Sequence, residues 1–313
     1  MTSRTTSTAQ TTSRWYGILN LLIVYIVWGS TYLAIRVGVR EGSGFPPFYL
    51  AGTRVLVAGI ILIGLAWLQK KPIRLTKREL GLLAISGVML WLGGNGLVVY
   101  AEQHVDSNLA ALIIGSTPLG VALMEFIIDR RPPSTLMVVS LLIGFGGVGL
   151  LSIPSLRSGV SADALSVILI LCASMLWGGG SLLQSRKPVK VEPEVSSAVQ
   201  HLTGAVALFS MALITGEPLP HPVQEALFAW GYLVIFGSVV AFTAFVRALQ
   251  MLPTNLVMTY AYVNPVIAVL LGWLILGEEI TPWTLGGMAL ILIGVAGVFR
   301  ARYRQARLPK SAN

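Results

Sequence analysis

Long apolar runs separated by short polar or Pro/Gly-rich breaks make up most of this chain. Each run holds about 18 to 25 mostly apolar residues, the length that a helix needs to cross a bilayer. The pattern therefore predicts an all-α polytopic membrane protein with ten transmembrane helices. The predicted spans are Trp15–Val37, Pro47–Gln69, Leu80–Tyr100, Asn108–Ile128, Leu136–Ile153, Ala164–Gln184, Val195–Thr215, Ala226–Gln250, Asn255–Leu276 and Trp283–Arg300.

One segment occurs twice, first at Ala101–Pro118 and again at Ala248–Pro265. The copies share five residues at the single offset of 147, more than the roughly one or two expected by chance from an apolar composition, which indicates an internal repeat. The pair Trp28-Gly29 recurs in the same way at Trp177-Gly178. The predicted organisation is a tail at 1–14, a five-helix repeat at 15–153, a connection at 154–163, a second five-helix repeat at 164–300 and a basic tail at 301–313.

The basic residues lie almost entirely on one side of the predicted spans. With a cytoplasmic N-terminus, 18 of the 22 Lys and Arg residues fall in cytoplasmic segments, three fall outside and Arg54 lies within a span. Because basic residues concentrate in cytoplasmic loops, both termini are predicted to be cytoplasmic and the connection between the repeats periplasmic.

Each predicted repeat contains five spans, an odd number, so the second repeat must enter the membrane in the opposite sense. The charges of equivalent turns agree with this, because Asp129-Arg130-Arg131 in the first repeat corresponds to Gly277-Glu278-Glu279 in the second. This predicts inverted-topology repeats around a central cavity, an architecture of transporters that work by alternating access.

Composition excludes several other classes of protein. Hydrophobic residues make up 55% of the chain and charged residues 11%, and the mean hydropathy is +0.77, far from the roughly 25% charged residues of soluble domains. The net charge of +9 is explained by cytoplasmic loops and tails, so no nucleic-acid partner is expected. The single cysteine, Cys172, excludes an internal disulfide and a multi-cysteine metal site.

Motifs of cofactor-dependent and hydrolytic enzymes are also missing from the sequence. It contains no P-loop, no HExxH motif and no nucleophile elbow. The sequence Gly144-x-Gly146-x-x-Gly149 matches a dinucleotide fingerprint literally, but it lies inside an apolar span instead of following a strand. We therefore expect no cofactor, no metal and no enzymatic activity.

Several segments resemble the EamA domains of the drug/metabolite transporter superfamily. They are Trp28–Ser30, the stretch from Pro46-Pro47 to Ala58, Asn108–Pro118 and Asn255–Pro265. Within that superfamily the chain is most similar to the YddG-type exporters of aromatic and other amino acids. The resemblance implies a secondary carrier in the bacterial inner membrane with a central cavity between the two repeats. Related carriers export threonine, cysteine products, drugs or other metabolites, and these remain alternatives, as do a channel and an intramembrane enzyme.

Charged groups at membrane depth are costly and therefore tend to line a cavity or to pair with one another. Arg54 lies about two turns into the second span; it either binds a substrate carboxylate or snorkels and holds helices together. His201 occupies the matching position in the second repeat and is either a proton-coupling group or a packing hydrogen bond. Glu125 is an interfacial or a coupling residue.

Aromatic and amide side chains within the spans predict the substrate class. An apolar pocket with aromatic walls and a few amides suits an amino acid with a large side chain, although anchoring and packing are common roles of single aromatics. Pro118 and Pro265 are expected to kink their helices and free carbonyl groups. The candidate substrate-binding residues are Trp28, Tyr32, Arg54, Trp91, Asn95, Tyr100, Trp177, His201, Tyr260 and Asn264. The partners are a small-molecule substrate and the lipid bilayer; the sequence predicts no oligomeric state.

Overall fold

The computed structural model describes residues 3–101, 107–157, 164–276 and 280–307, and these residues form helices with no strand among them. The all-α prediction is confirmed. We number the helices α1 to α10; α4 and α9 are each built of two segments. They are α1 (Ser3–Val39), α2 (Pro47–Leu68), α3 (Lys77–Ala101), α4 (Ser107–Ile114 and Thr117–Asp129), α5 (Thr135–Arg157), α6 (Ala164–Arg186), α7 (Pro193–Ile214), α8 (Gln224–Met251), α9 (Thr254–Val257 and Tyr260–Leu276) and α10 (Pro282–Arg307).

Nine helices in the described part of the chain are long and apolar enough to cross a membrane. The first helix, α1, is not among the nine, and the structure does not describe all of its side chains. The number of ten spans therefore stays a prediction for α1.

Local sequence explains where the helices begin. Pro47 and Pro193 stand at the first helical position, where a missing N–H costs nothing. Thr76 caps α3 by accepting a hydrogen bond from the Glu79 backbone N–H, and the Glu79 side chain accepts one in return from the Thr76 backbone. The polar breaks that separate the apolar runs thus also fix the helix ends.

The packing of the helices has the symmetry that two inverted repeats require. Helix α2 packs on its counterpart α7, and α5 packs on its counterpart α10. Helix α1 packs on α8 and α9, and its counterpart α6 packs on α3 and α4. For each of these contacts, the equivalent helices of the other repeat make the equivalent contact. This symmetry confirms the two-repeat architecture.

The N-terminal part of α1 and the C-terminal part of α10 lie at the same face of the bundle, which we call the terminal face. The guanidinium carbon of Arg14 in α1 lies 5.3 Å from the ring centroid of Tyr303 in α10. The first and last helices therefore begin and end together. We call the other end of the bundle the opposite face.

Two pairs of equivalent helices depart from regular α-helical geometry. Helices α3 and α8 each contain a π-helical segment, Val88–Gly96 and Leu233–Val240. Helices α4 and α9 are each broken by a two-residue turn, Gly115-Ser116 and Met258-Thr259. Such interruptions widen or break the helix and leave backbone groups available inside a bundle.

The predicted kink positions lie differently relative to these breaks. Pro118 is the second residue of the α4 segment that follows the turn. Pro265 instead lies inside the α9 segment Tyr260–Leu276, well after the turn. The break in α4 therefore lies directly before Thr117-Pro118, whereas the break in α9 ends at Thr259, more than one helical turn before Pro265.

The contact between α5 and α10 depends on glycines, and its disruption should destabilise the protein. A Cβ atom at Gly294 would lie 2.6 Å from the backbone nitrogen of Gly144 and 2.8 Å from the carbonyl oxygen of Ser140. Because backbone atoms cannot yield, Gly294→Ala is expected to cost about 1–3 kcal/mol and to lower the melting temperature. The control is Gly146→Ala on α5, where a Cβ atom meets nothing within 4 Å. Equal melting temperatures for the two variants would contradict this packing.

Candidate functional site

A cavity of about 110 Å³ lies between the two repeats. Residues from α1, α2, α3, α4, α6 and α9 form its wall. By volume it has room for several water molecules or a small solute. The lining residues are Trp28, Thr31, Ile35, Arg54, Trp91, Gly94, Asn95, Val98, Val99, Ile114, Thr117, Ala173, Ser174, Trp177, Tyr260 and Asn264.

The cavity lies toward the opposite face of the bundle. Ile35 is near the C-terminal end of α1 and Val98 is near the C-terminal end of α3, and both of these helix ends are at the opposite face. Ile114 belongs to the first segment of α4, which begins at the same face. On the terminal side, the cavity is closed by the buried rings of Phe242 and Phe245, which pack against the tryptophans of its wall.

Arg54 is a buried cation in the cavity wall. Its side chain is 4% exposed, and its Nε donates a hydrogen bond to the Ser238 hydroxyl at 2.8 Å. The guanidinium carbon lies 5.4 Å from the ring centroid of Trp91, a cation–π contact. No carboxylate forms an ion pair with Arg54 among the described residues. A buried cation without a counter-ion favours binding of an anionic group.

Four other polar atoms of the wall are buried without a hydrogen-bond partner in the described part of the chain. Two are donors, the indole N–H groups of Trp91 and Trp177, and two are acceptors, the Oδ1 atoms of Asn95 and Asn264. Buried polar groups are normally paired because an unpaired one costs free energy. The wall therefore offers donors and acceptors to a solute.

Aromatic rings form the apolar part of the wall. Trp28 and Trp177, which the repeat makes equivalent, meet edge to face with their ring centroids 5.5 Å apart. Tyr260 contacts Trp28 in the same way at 4.9 Å. Trp28 is held in place because its indole N–H donates to the Gly237 carbonyl at 2.9 Å. The rings form a rigid surface suited to an apolar or aromatic group.

Seven of the ten residues predicted to bind substrate line this cavity: Trp28, Arg54, Trp91, Asn95, Trp177, Tyr260 and Asn264. Tyr100 does not line it and stacks on Phe48, with ring centroids 5.4 Å apart. The side chain of Tyr32 lies outside the described residues.

His201 also lies outside the cavity wall. It is completely buried, its Nδ1–H donates to the Ser197 carbonyl at 2.7 Å, and its ring packs 4.6 Å from that of Trp91. The register of the two helices differs from the predicted match: Arg54 is seven residues after Pro47, whereas Gln200, not His201, is seven residues after Pro193. His201 thus packs against Trp91 from outside the cavity wall.

Three hydroxyl residues of the wall were not predicted from the sequence: Thr31, Thr117 and Ser174. The hydroxyls of Thr117 and Ser174 share a hydrogen bond of 2.5 Å. Thr117 precedes Pro118 as Asn264 precedes Pro265, so the residue before the proline lines the cavity in both repeats. The sequence could have identified Thr117 in this way, because Thr117 has the same position relative to Pro118 as the predicted residue Asn264 has relative to Pro265.

Glu125 lies away from the cavity, at the terminal face. Its Oε2 accepts hydrogen bonds from an Nη atom of Arg302 and from Nδ2 of Asn255, both at 2.8 Å. The Nε of Arg302 also donates to Oδ1 of Asn255 at 2.6 Å. This three-residue network, which we call the terminal-face lock, joins α4, α9 and α10 where the cavity is closed.

The two asparagine acceptors give a testable expectation. Replacing Asn95 or Asn264 by Leu removes an acceptor while keeping a similar volume, so the KM for a substrate with an ammonium group should rise about 2- to 12-fold, the range for loss of one hydrogen bond. Asn20→Leu is the control, because Asn20 is buried outside the cavity, where it donates to the Tyr16 carbonyl. An unchanged KM in the cavity variants, measured by transport in liposomes, would contradict the role of these acceptors.

Comparison with known proteins agrees with this geometry. The family model described as the EamA-like transporter family matches residues 15–153 and 164–300. The inner membrane transporter YedA of Escherichia coli strain K12 is 35% identical over 285 residues, which cover 90% of each chain. A transporter of Chlamydia trachomatis serovar L2 named for S-adenosylmethionine and S-adenosylhomocysteine is 24% identical over 295 residues, 89% of this chain and 88% of that protein.

A solved structure has the same fold, with a TM-score of 0.77 at 20% identity over 94% of this chain and 99% of that one. The predicted resemblance to EamA domains is confirmed, because the family match covers most of the chain. The protein is a multi-pass membrane transporter that belongs to the EamA-like transporter family.

Proposed function

We propose that this protein is a secondary transporter that exports amino acids, aromatic and other neutral ones, across the bacterial inner membrane by alternating access. The observation that carries the proposal is one cavity that holds a buried cation together with unpaired hydrogen-bond acceptors. A zwitterion presents the complementary groups, a carboxylate and an ammonium.

The polar groups divide into two sets that match the two ends of an amino acid. Arg54 and the indole N–H groups of Trp91 and Trp177 are donors and suit the carboxylate. The Oδ1 atoms of Asn95 and Asn264 are acceptors and suit the ammonium. Trp28 and Tyr260 supply an apolar surface for the side chain.

The cavity volume favours a small substrate. At about 110 Å³, the cavity is below the roughly 300–1,000 Å³ of sites for drug-sized ligands. A small neutral amino acid therefore requires less movement of the wall than a larger solute.

The proposed orientation places the terminal face in the cytoplasm. The basic residues of the terminal-face ion pairs, among them Arg186, Arg247 and Arg302, fit the excess of Lys and Arg on the cytoplasmic side of membrane proteins. The cavity then opens toward the periplasm, so the structure represents an outward-facing state. The tails 1–14 and 301–313 are cytoplasmic and the connection 154–163 is periplasmic under the same proposal.

A second candidate substrate is S-adenosylmethionine, for which the Chlamydia trachomatis relative is named. It carries the same α-amino and α-carboxylate groups as a neutral amino acid, and its adenine ring suits the aromatic wall. The small cavity volume favours the neutral amino acids over this solute. Other metabolites and drugs are the further alternatives.

A substrate panel in liposomes tests the proposal. Purified protein should exchange labelled phenylalanine, tryptophan or a smaller neutral amino acid, measured by counterflow with and without a pH gradient. The panel includes S-adenosylmethionine and an organic cation that lacks a carboxylate. Flux of the cation without flux of any α-amino acid would contradict the proposed substrate class and leave the family assignment intact.

A further inference from the structure

Gln184 is a buried polar residue of α6 that no contact in the described part of the chain explains. Its side chain is 9% exposed, and neither its amide nitrogen nor its amide oxygen has a hydrogen-bond partner among the described residues. An amide has two donors and an acceptor to satisfy, so burying all of them unpaired costs free energy. The fold gains nothing from this amide in the present state.

The repeat places Gln184 at the counterpart of a cavity-lining position. Gln184 is seven residues after Trp177, as Ile35 is seven residues after Trp28. Seven residues are two helical turns, so each pair lies on one face of its helix. On α1 this face lines the cavity through Trp28, Thr31 and Ile35.

The equivalent face of α6 is closed in this structure. At Gly180, the counterpart of Thr31, a Cβ atom would lie 3.1 Å from side-chain atoms of both Met89 and Leu90. On α1, Tyr25 shares a hydrogen bond of 2.5 Å with Thr259 of α9. These contacts close the bundle between the aromatic rings of the cavity wall and the terminal face.

Exchange of the two repeats reverses this arrangement. When inverted repeats alternate, each adopts the conformation that the other had, so the faces that line and close the cavity change places. The face of α6 with Trp177 and Gln184 then lines a cavity that opens at the terminal face. Helix α8, which contacts α6, carries another buried polar group without a partner in the described part of the chain, the hydroxyl of Thr243.

We propose that the amide of Gln184 is a substrate-binding group of the state that opens at the terminal face, where it binds the polar end of the amino acid during entry. An amide can donate to the carboxylate or accept from the ammonium. Gln184 is polar and its counterpart Ile35 is apolar. The cavity that opens at the terminal face, where substrate enters, therefore has a polar subsite, whereas the cavity at the opposite face, where substrate leaves, has an apolar wall at the equivalent position. The inference rests on the proposed transport function.

Cysteine accessibility tests the position of Gln184 without any substrate. The single native cysteine is replaced in Cys172→Ser, and Gln184→Cys, Ile35→Cys and Leu182→Cys are each introduced into that chain. A membrane-impermeant maleimide is then applied from either side of the membrane. Because its reaction is irreversible, label accumulates even in a state that is visited rarely.

We expect Gln184→Cys to react only from the terminal face and Ile35→Cys to react only from the opposite face. Leu182→Cys, in the buried core on the same helix, should stay unlabelled. An unreactive Gln184→Cys, or labelling of Gln184→Cys and Leu182→Cys at equal rates, would overturn the inference. Since no substrate is used, this result is independent of whether the proposed amino acids are transported.

Transport kinetics test the binding role. Gln184→Leu should raise the KM for amino acid supplied at the terminal face several-fold and leave the KM from the opposite face unchanged, while Gln184→Asn retains part of the affinity. The melting temperature of Gln184→Leu should equal or exceed that of the wild type, because no hydrogen bond is lost. Equal KM values from both sides, or a lower melting temperature, would show a structural role instead. Absence of all amino-acid flux in the wild type would refute the proposed function and leave the accessibility result standing.

Discussion

Transport of a zwitterionic amino acid is expected to fall about 10- to 100-fold when Arg54 is replaced by Gln, because the substrate carboxylate loses a charge-assisted hydrogen bond worth about 1.5–3 kcal/mol. Arg54 is buried in the cavity wall and has no carboxylate partner in the described part of the chain. The loss should appear mainly as a raised KM in liposome uptake. Arg54→Lys keeps the charge but not the guanidinium geometry, so a partial loss is expected.

The melting temperature separates this role from a structural one. A cation buried without a counter-ion contributes little to stability, so Arg54→Gln should leave the melting temperature unchanged or raise it. If Arg54 only held helices together through Ser238 and Trp91, stability and transport would fall in parallel. A parallel loss would contradict the assignment of Arg54 to the substrate.

Replacing Glu125 by Gln is expected to shift the protein toward the state that opens at the terminal face. The substitution removes the charge that holds Arg302 and weakens the terminal-face lock. Loss of charge-assisted hydrogen bonds worth about 1.5–3 kcal/mol changes the ratio of the two states by about 10- to 100-fold. A fluorescence or distance probe across the terminal ends of α4 and α10 should report the opening.

The matched control is Asp129→Asn at the same face. Asp129 accepts two hydrogen bonds from Arg186, but its side chain is 43% exposed, and exposed ion pairs contribute only about 0–1 kcal/mol. Asp129→Asn should therefore shift the distribution of states less than Glu125→Gln. Equal responses of the two variants would show that the terminal-face lock has no special role in closure.

The fold was predictable because it depends on patterns that a sequence displays directly. Apolar runs of bilayer length predicted the helices, and Trp28 and Trp177 marked equivalent positions of two repeats. The odd number of spans per repeat then required inverted copies, and equivalent helices pack on each other, α2 on α7 and α5 on α10, as symmetric repeats should. These inferences need only the order of apolar and polar residues and the length of a helix.

The site was only partly predictable, because lining a cavity depends on how each helix is rotated about its axis. On α3, Trp91, Asn95 and Val98 follow helical spacing and line the cavity, whereas Tyr100 points to Phe48. Tyr100 is two residues after Val98, more than half a turn around the helix, so helical spacing excludes it only once the side of α3 that faces the cavity is known.

The recognition of both a carboxylate and an ammonium by the cavity is tested by comparing the binding of a zwitterion with that of its singly charged analogues. Purified protein is titrated with phenylalanine, with phenethylamine, which lacks the carboxylate, and with phenylpropionate, which lacks the ammonium. We expect phenylalanine to bind, phenethylamine, which has no carboxylate for Arg54, to bind at least about 10-fold more weakly, and phenylpropionate to be weakened less. Equal affinities for all three compounds would contradict a cavity built to hold both ends of an amino acid.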